Sequence, residues 1–203
     1  MYIPNHFKNE NLEEVKDFIK ANSFGILLTT HSDKIMGSHI PLELEEDMNG
    51  NQVIYGHVSK ANPQWANFKH EEEVLLIYNG PHAYVSSSWY NHENVPTWNY
   101  IAVHIYGQLK VIEEEELLYA LDKLMAKYES TMDNPLRMQD LSESTMRQVN
   151  GIVGFKVTIS EVQAAYKLSQ NRDEEDYHQI VHELGKSSCP MDKNLSEVMN
   201  KNE

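Results

Sequence analysis

Cysteine is nearly missing from this chain. Cys189 stands alone among 203 residues, so no intrachain disulfide can form, which suits a reducing compartment. Arginine is scarce too, limited to Arg137, Arg147 and Arg172. With 17 basic residues against 31 acidic ones, the formal charge is −14. A protein that grips duplex phosphates needs a basic face. Here acidic runs at 43–47, 71–73, 113–116 and 173–176 would repel a duplex, so direct nucleic-acid binding by this chain alone is not expected. No apolar run approaches the roughly 20 residues of a membrane span. The opening MYIPNHFKNENLEE lacks a basic start and an apolar centre. A soluble, unexported, cytoplasmic protein with no membrane partner is therefore expected. Nucleophile-elbow, Walker and dinucleotide glycine patterns are also missing, and no catalytic residue can be named.

What the chain does have is a concentration of aromatics. Residues 83–107, AYVSSSWYNHENVPTWNYIAVHIYG, carry Trp89 and Trp98 with Tyr84, Tyr90, Tyr100 and Tyr106. Such residues favour half-buried pleated surfaces, so two strands around a polar loop at 91–97 are expected. Rings beside Ser86, Ser87, Ser88, Asn99 and His104 could line a site for a planar ligand. In WNY, Trp98 and Tyr100 share one strand face and Asn99 takes the other. With Trp98 packed into the core, Asn99 would face away from it.

Periodicity sets out the remaining elements. A first helix is expected over 11–23, capped by Asn9 or Asn11, followed by the strand FGILLTT and a turn at HSDK. MGSHIPLELEE alternates as one strand, and Asn49-Gly50 signals a hairpin into NQVIYGHVS. Asn62-Pro63 starts a short helix with Trp65 and Phe68. EVLLIYN is a buried strand, ended by a turn at Gly80-Pro81. A long strand over 98–112 precedes the clearest helix, 113–128, whose stripe of Leu117, Leu118, Leu121, Leu124, Met125 and Tyr128 suits core or interface packing. A helix at 142–150, a strand GIVGFKVTI and a final helix at 173–184 complete one domain over 1–185. Residues 186–203 read as a mobile tail. The pattern is mainly β with peripheral helices, a barrel rather than a doubly wound sheet.

Several groups have chemistry to offer. Ser59, Lys60 and a helix start at Asn62 are the kinds of group that hold a phosphate; a surface lysine beside a capping asparagine is the commoner arrangement. His39 precedes Pro41 in a strand, which implies an edge or a bulge. His178 and His182 stand four apart, but no further ligands are spaced to complete a zinc site, so no metal is expected.

Five segments in order, MYIPNHF, GHVSKANPQW, AYVSSSWY, VPTWNY and KLSQNR, give the chain a resemblance. It is similar to FMN-binding negative transcriptional regulators of the PaiB type, within the FMN-binding split-barrel superfamily. The likeness reaches to about Leu184. It implies a split β-barrel, FMN as cofactor, and a homodimer with flavin sites at its interface. It places the cofactor near His39, Ile40, Pro41, His57, Ser59, Lys60, Asn62, Asn99, Lys167, Ser169, Asn171 and Arg172. KLSQNR can also serve as a capping turn, with Asn171 or Asp173 as the cap. The acidic charge points the implied regulation toward a protein partner or metabolite. An FMN-dependent oxidoreductase or flavin reductase is the second reading. A flavin-free protein holding haem through His39, His57, His82 or His104 is the third.

Overall fold

The computed structural model describes residues 1–31, 34–70 and 73–201. Ser32 and Asp33 of the expected turn, and Glu71 and Glu72 of one acidic run, lie outside the described residues. In chain order the elements are α1 (Leu12–Ala21), β1 (Phe24–His31), β2 (Lys34–Pro41), β3 (Glu43–Glu46), β4 (Gln52–Ser59), β5 (Glu73–Val85), β6 (Thr97–Ile112), α2 (Glu114–Glu129), α3 (Glu143–Met146), β7 (Ile152–Lys167), α4 (Glu174–Lys186) and α5 (Pro190–Lys201). Asn11 caps α1, its Oδ1 accepting the Glu14 amide at 3.3 Å, and Asn9 in turn accepts the Asn11 amide at 2.8 Å.

The strands form one seven-stranded sheet in the order β2-β1-β5-β6-β7-β4-β3. Every pair whose register is described is antiparallel. β2 and β3 are its two edges, so the sheet does not close. This is the mainly β architecture with helices that the pattern implies, and the open sheet is the split barrel that the resemblance implies. β2 is an edge, as Pro41 predicts. The alternating stretch read as one strand breaks at Leu42 into β2 and β3. Leu42 is fully buried there, and its amide donates to Ser23 O at 2.7 Å. The hairpin forms at the expected place, with Gly50 at φ 81°. Asp47 closes it, accepting the amides of Asn49 and Asn51 at 2.9 Å each.

The chain divides into two compact units where the sequence reads as one domain. Unit 1 comprises Met1–Phe18, Tyr78–His104 and Gln163–Glu203; unit 2 comprises Ile19–Ile77 and Ile105–Val162. The core of unit 1 includes Val15, Tyr78, Val85, Val103, Ile180, Leu184, Leu195 and Met199; that of unit 2 includes Leu27, Ile54, Leu76, Ile105, Leu109, Phe155 and Val157.

Three expectations fail. No turn forms at Gly80-Pro81, because β5 runs straight through. A Cβ at Gly80 would meet Phe18 Cε2 at 2.6 Å, so glycine marks a close approach rather than a bend. The register of β5 with β1 covers only Leu75–Ile77, so Pro81 is asked for no amide in that ladder. β7 likewise runs on to Lys167, well past GIVGFKVTI. Finally, 186–203 is not a loose tail: α5 occupies 190–201 and buries Leu195 and Met199 completely. Ser196 Oγ donates to Val181 O at 2.8 Å, and Tyr177 Oη donates to Met199 O at 2.9 Å, which ties α5 to α4.

Candidate functional site

In unit 2 the loop after β4 is built by its own side chains. Ser59 Oγ accepts the Ala61 amide at 3.1 Å, and Asn62 Oδ1 accepts the Gln64 amide at 3.0 Å. Pro63 then opens a 3-10 helix, Pro63–His70. Lys60 N donates to Gly151 O at 2.9 Å, and Lys60 O accepts from Trp65 Nε1 at 2.8 Å, so the backbone of Lys60 is held on both sides. Asn62 Nδ2 reaches Ser38 Oγ at 2.8 Å, next to His39 on the edge strand. The segments around His39 and Lys60, separate in sequence, are thus joined. The link runs through Gln64, which the sequence reading missed. Gln64 is 1% exposed. Its Oε1 accepts from Ser38 Oγ at 2.6 Å, while Nε2 lies 3.0 Å from Thr29 Oγ1 and 3.2 Å from both Leu27 O and Met36 O. A glutamine beside a proline in a polar loop gives no sign in sequence that it will be buried.

His39 is exposed and its ring stacks on Phe24 at 6.5 Å. Ile40 is half-buried, and Pro41 and His57 line one crevice against α2. Beside Lys60 lies a cleft of about 930 Å3 with apolar walls from Trp65, Phe68, Leu117 and Val149. Two ammonium groups, Lys60 and Lys110, border it with Glu113, and neither lysine pairs with another described residue. A large, mainly apolar cleft lined in part by two lysines has the chemistry for a ligand flat at one end and anionic at the other. The donor set therefore fits FMN. Ser59 and Lys60 would hold its phosphate, and Asn62, whose amide is already engaged, would shape the loop.

In unit 1 the strand faces are the reverse of the expected arrangement. Trp98 is 48% exposed and Asn99 is fully buried. The alternation holds, but the sides are exchanged. Trp98 lies on an outward face with His82 and Tyr84, at ring distances of 5.9 and 6.1 Å. Asn99 meets Ser169 Oγ with Nδ2 at 2.8 Å and Oδ1 at 3.1 Å. Ser169, 3% exposed, is the one non-glycine residue of positive φ (62°) among those described. Buried and engaged with each other, the two side chains hold a left-handed turn. Lys167, half-buried, donates to Thr97 Oγ1 and lies over the Phe7 ring; burial, then the Arg172 charge, holds its ammonium below the usual range. Arg172 lies 5.1 Å over the Tyr90 ring, and Asn171 is exposed. The cap of α4 is Asp173, whose Oδ1 accepts the Asp176 amide at 2.9 Å.

Two histidines make the fold sensitive to acid. Burial holds the His57 imidazole below its ordinary range, and burial with the N-terminal ammonium does the same to His104. Below about pH 6.5 the unfolded chain takes up protons that these folded groups refuse, so stability falls as pH drops through that value. The urea midpoint should be lower at pH 5.5 than at pH 7.5, and His57→Gln should narrow the gap. An unchanged gap would show that His57 does not contribute.

The chain is 45% identical over 200 residues to the Protease synthase and sporulation protein PAI 2 of Bacillus subtilis, covering 98% of this chain and 96% of that protein. It is similar in fold to the FAD and haem binding protein of Mycobacterium smegmatis (TM-score 0.63, 13% identity, 84% of this chain and 78% of that one). It is likewise similar to a flavocytochrome of Azotobacter vinelandii (TM-score 0.58, 17% identity, 87% and 78%). These two show the fold alone. Residues 1–161 match the family described as "Putative FMN-binding domain"; the chain belongs to that family, and FMN is its cofactor.

Proposed function

We propose that this protein is a cytoplasmic, homodimeric FMN-binding regulator of the PaiB kind, acting through a protein partner or metabolite rather than by gripping DNA itself. The observation that carries this reading is the near full-length similarity to the Bacillus subtilis protein. The cleft beside Lys60 supports the cofactor part of it. The charge of −14 supports the indirect mode of action. Exposed apolar surface supports the dimer: Leu118 and Tyr128 on α2 are 40% and 44% exposed, and Tyr84 on β5 is 49% exposed. A second copy would cover such faces. In this reading Ser59 and Lys60 bind the phosphate of FMN, and His39 to Pro41 present a strand edge to its ring. Within unit 1, Asn99 and Ser169 set the turn between Lys167 and Arg172.

The test is the visible spectrum of protein purified without added cofactor, and again after FMN addition and desalting. Flavin should be retained at one per chain. Lys60→Ala should weaken FMN binding about 10- to 100-fold, the range for losing one charge-assisted contact, with folding unchanged. No retained flavin in either sample would overturn the cofactor assignment, and a monomer in sedimentation equilibrium would overturn the dimer.

A further inference from the structure

We propose that His92, Asp173 and Asp176 form a binding site for one divalent transition-metal cation. All three belong to unit 1, and their candidate ligand atoms lie within 4.8 Å of one another. His92 comes from the polar loop before β6, and the two aspartates from the first turn of α4.

The second, independent observation is Asp176 itself. It is 1% exposed, and its Oδ2 is buried with no hydrogen-bond partner. A buried carboxylate oxygen with no donor is costly unless something positive meets it. Its other oxygen is satisfied, with Oδ1 accepting the Asn91 amide at 2.9 Å, and this fixes how the carboxylate points. The nearest cation-capable atom is His92 Nδ1, 3.4 Å from Oδ2. That is long for a hydrogen bond. It matches the edge of a tetrahedron of about 2.1 Å bonds, which is roughly 3.4 Å, the geometry of zinc with nitrogen and oxygen ligands. Atoms as far apart as 4.8 Å must close by about 1.4 Å to reach that edge. His92 is exposed and can turn, whereas Asp173 stays on the α4 cap through Oδ1.

The surroundings favour a cation. The positive end of the α4 dipole opposes one, but Asp173, Glu174, Glu175 and Asp176 crowd that end with four carboxylates. One imidazole with two carboxylates suits zinc or manganese better than a soft ion. Binding needs the neutral ring with its proton on Nε2, so the 3.3 Å contact of Nε2 with Asn94 Nδ2 must open. The Nδ1 contact to Asn91 Oδ1, 2.7 Å long, then gives way to the metal and leaves that amide oxygen beside it as a further ligand. Asp173 Oδ1 continues to cap α4 while its second oxygen is available. His178 and His182, the pair four apart in sequence, are both exposed and lie outside this cluster.

The experiment is titration of the chelator-treated full chain with cobalt(II), read by visible ligand-field absorption, and with zinc(II), read by calorimetry. One site per chain is expected, with the cobalt bands lost in His92→Ala and zinc affinity reduced at least tenfold. Asp173→Asn keeps a helix cap and should weaken binding similarly without unfolding α4. The double variant His178→Ala/His182→Ala should bind as the parent does. The proposal is overturned if the parent binds no metal at one per chain, or if binding survives His92→Ala and disappears in the double variant. The second result would place the metal on α4.

Discussion

Replacing Gly107 by valine should abolish soluble folded protein, and replacing it by alanine should cost at least about 3 kcal/mol. Gly107 lies within β6, and a Cβ there would sit 2.4 Å from Thr158 O and 2.6 Å from Val157 Cγ1. The first obstacle is a backbone oxygen of β7, which cannot swing aside as the end of a side chain can. Making room for a methyl group requires the strand to move, and Val157 behind it is fully buried in the core of unit 2. Valine adds two further carbons to the same space. Gly151→Ala is the control, since a Cβ there meets nothing within 4 Å. It should stay within about 0.5 kcal/mol of the parent. The check is the urea midpoint of both alanine variants at equal slope. A Gly107→Ala midpoint matching the control would mean that β6 and β7 do not approach this closely.

Gly107 also shows where sequence stops being informative. In IYGQL it breaks the alternation and marks a weak point in a strand, but nothing in the letters says that a neighbouring backbone touches it. The elements that sequence reading places well are those whose own residues decide them. Asn9 and Asn11 cap α1, Asn49-Gly50 sits in the hairpin, and the leucine stripe of α2 repeats at helical spacing. The misplacements come from partners far away in the chain. α5 buries little beyond Leu195, Ser196 and Met199, too narrow a stripe to stand out among its polar neighbours. It is held by α4, which makes its fate invisible to a local pattern. The alternation of Trp98 and Asn99 was legible, but not which face was the core. Apolarity favoured burying the tryptophan. The structure instead buries the asparagine, because Ser169, seventy residues later, satisfies its amide. The metal cluster was hidden for the same reason. His92 and Asp176 share no motif spacing and meet only when the loop before β6 lies on α4.

Gln64→Leu should lower stability by about 3 kcal/mol and loosen FMN binding together, and that coupling distinguishes Gln64 from Lys60. Leucine fills nearly the same volume, so the loss is polar. Gln64 Nε2 lies within 3.2 Å of Leu27 O, Met36 O and Thr29 Oγ1, in a site 1% exposed. Removing the amide leaves β1 and β2 acceptors facing an apolar side chain, at about 1–3 kcal/mol for each one left unpaired. It also removes the acceptor of Ser38 Oγ, the hydroxyl that Asn62 Nδ2 reaches. The loop carrying Ser59 and Lys60 then loses its tie to the edge strand bearing His39. A ligand held by both segments pays more to order them, so affinity falls even where the variant is fully folded. Lys60→Ala removes a charge from an exposed side chain and should leave the urea midpoint within about 0.5 kcal/mol of the parent. Gln64→Glu sharpens the test, since it retains an oxygen for Ser38 but loses the donors to β1 and β2. Flavin retention and urea midpoint measured on all three variants should fall together at position 64 and separate at position 60. A Gln64→Leu variant with parental stability would show that water or a rearranged loop replaces the amide.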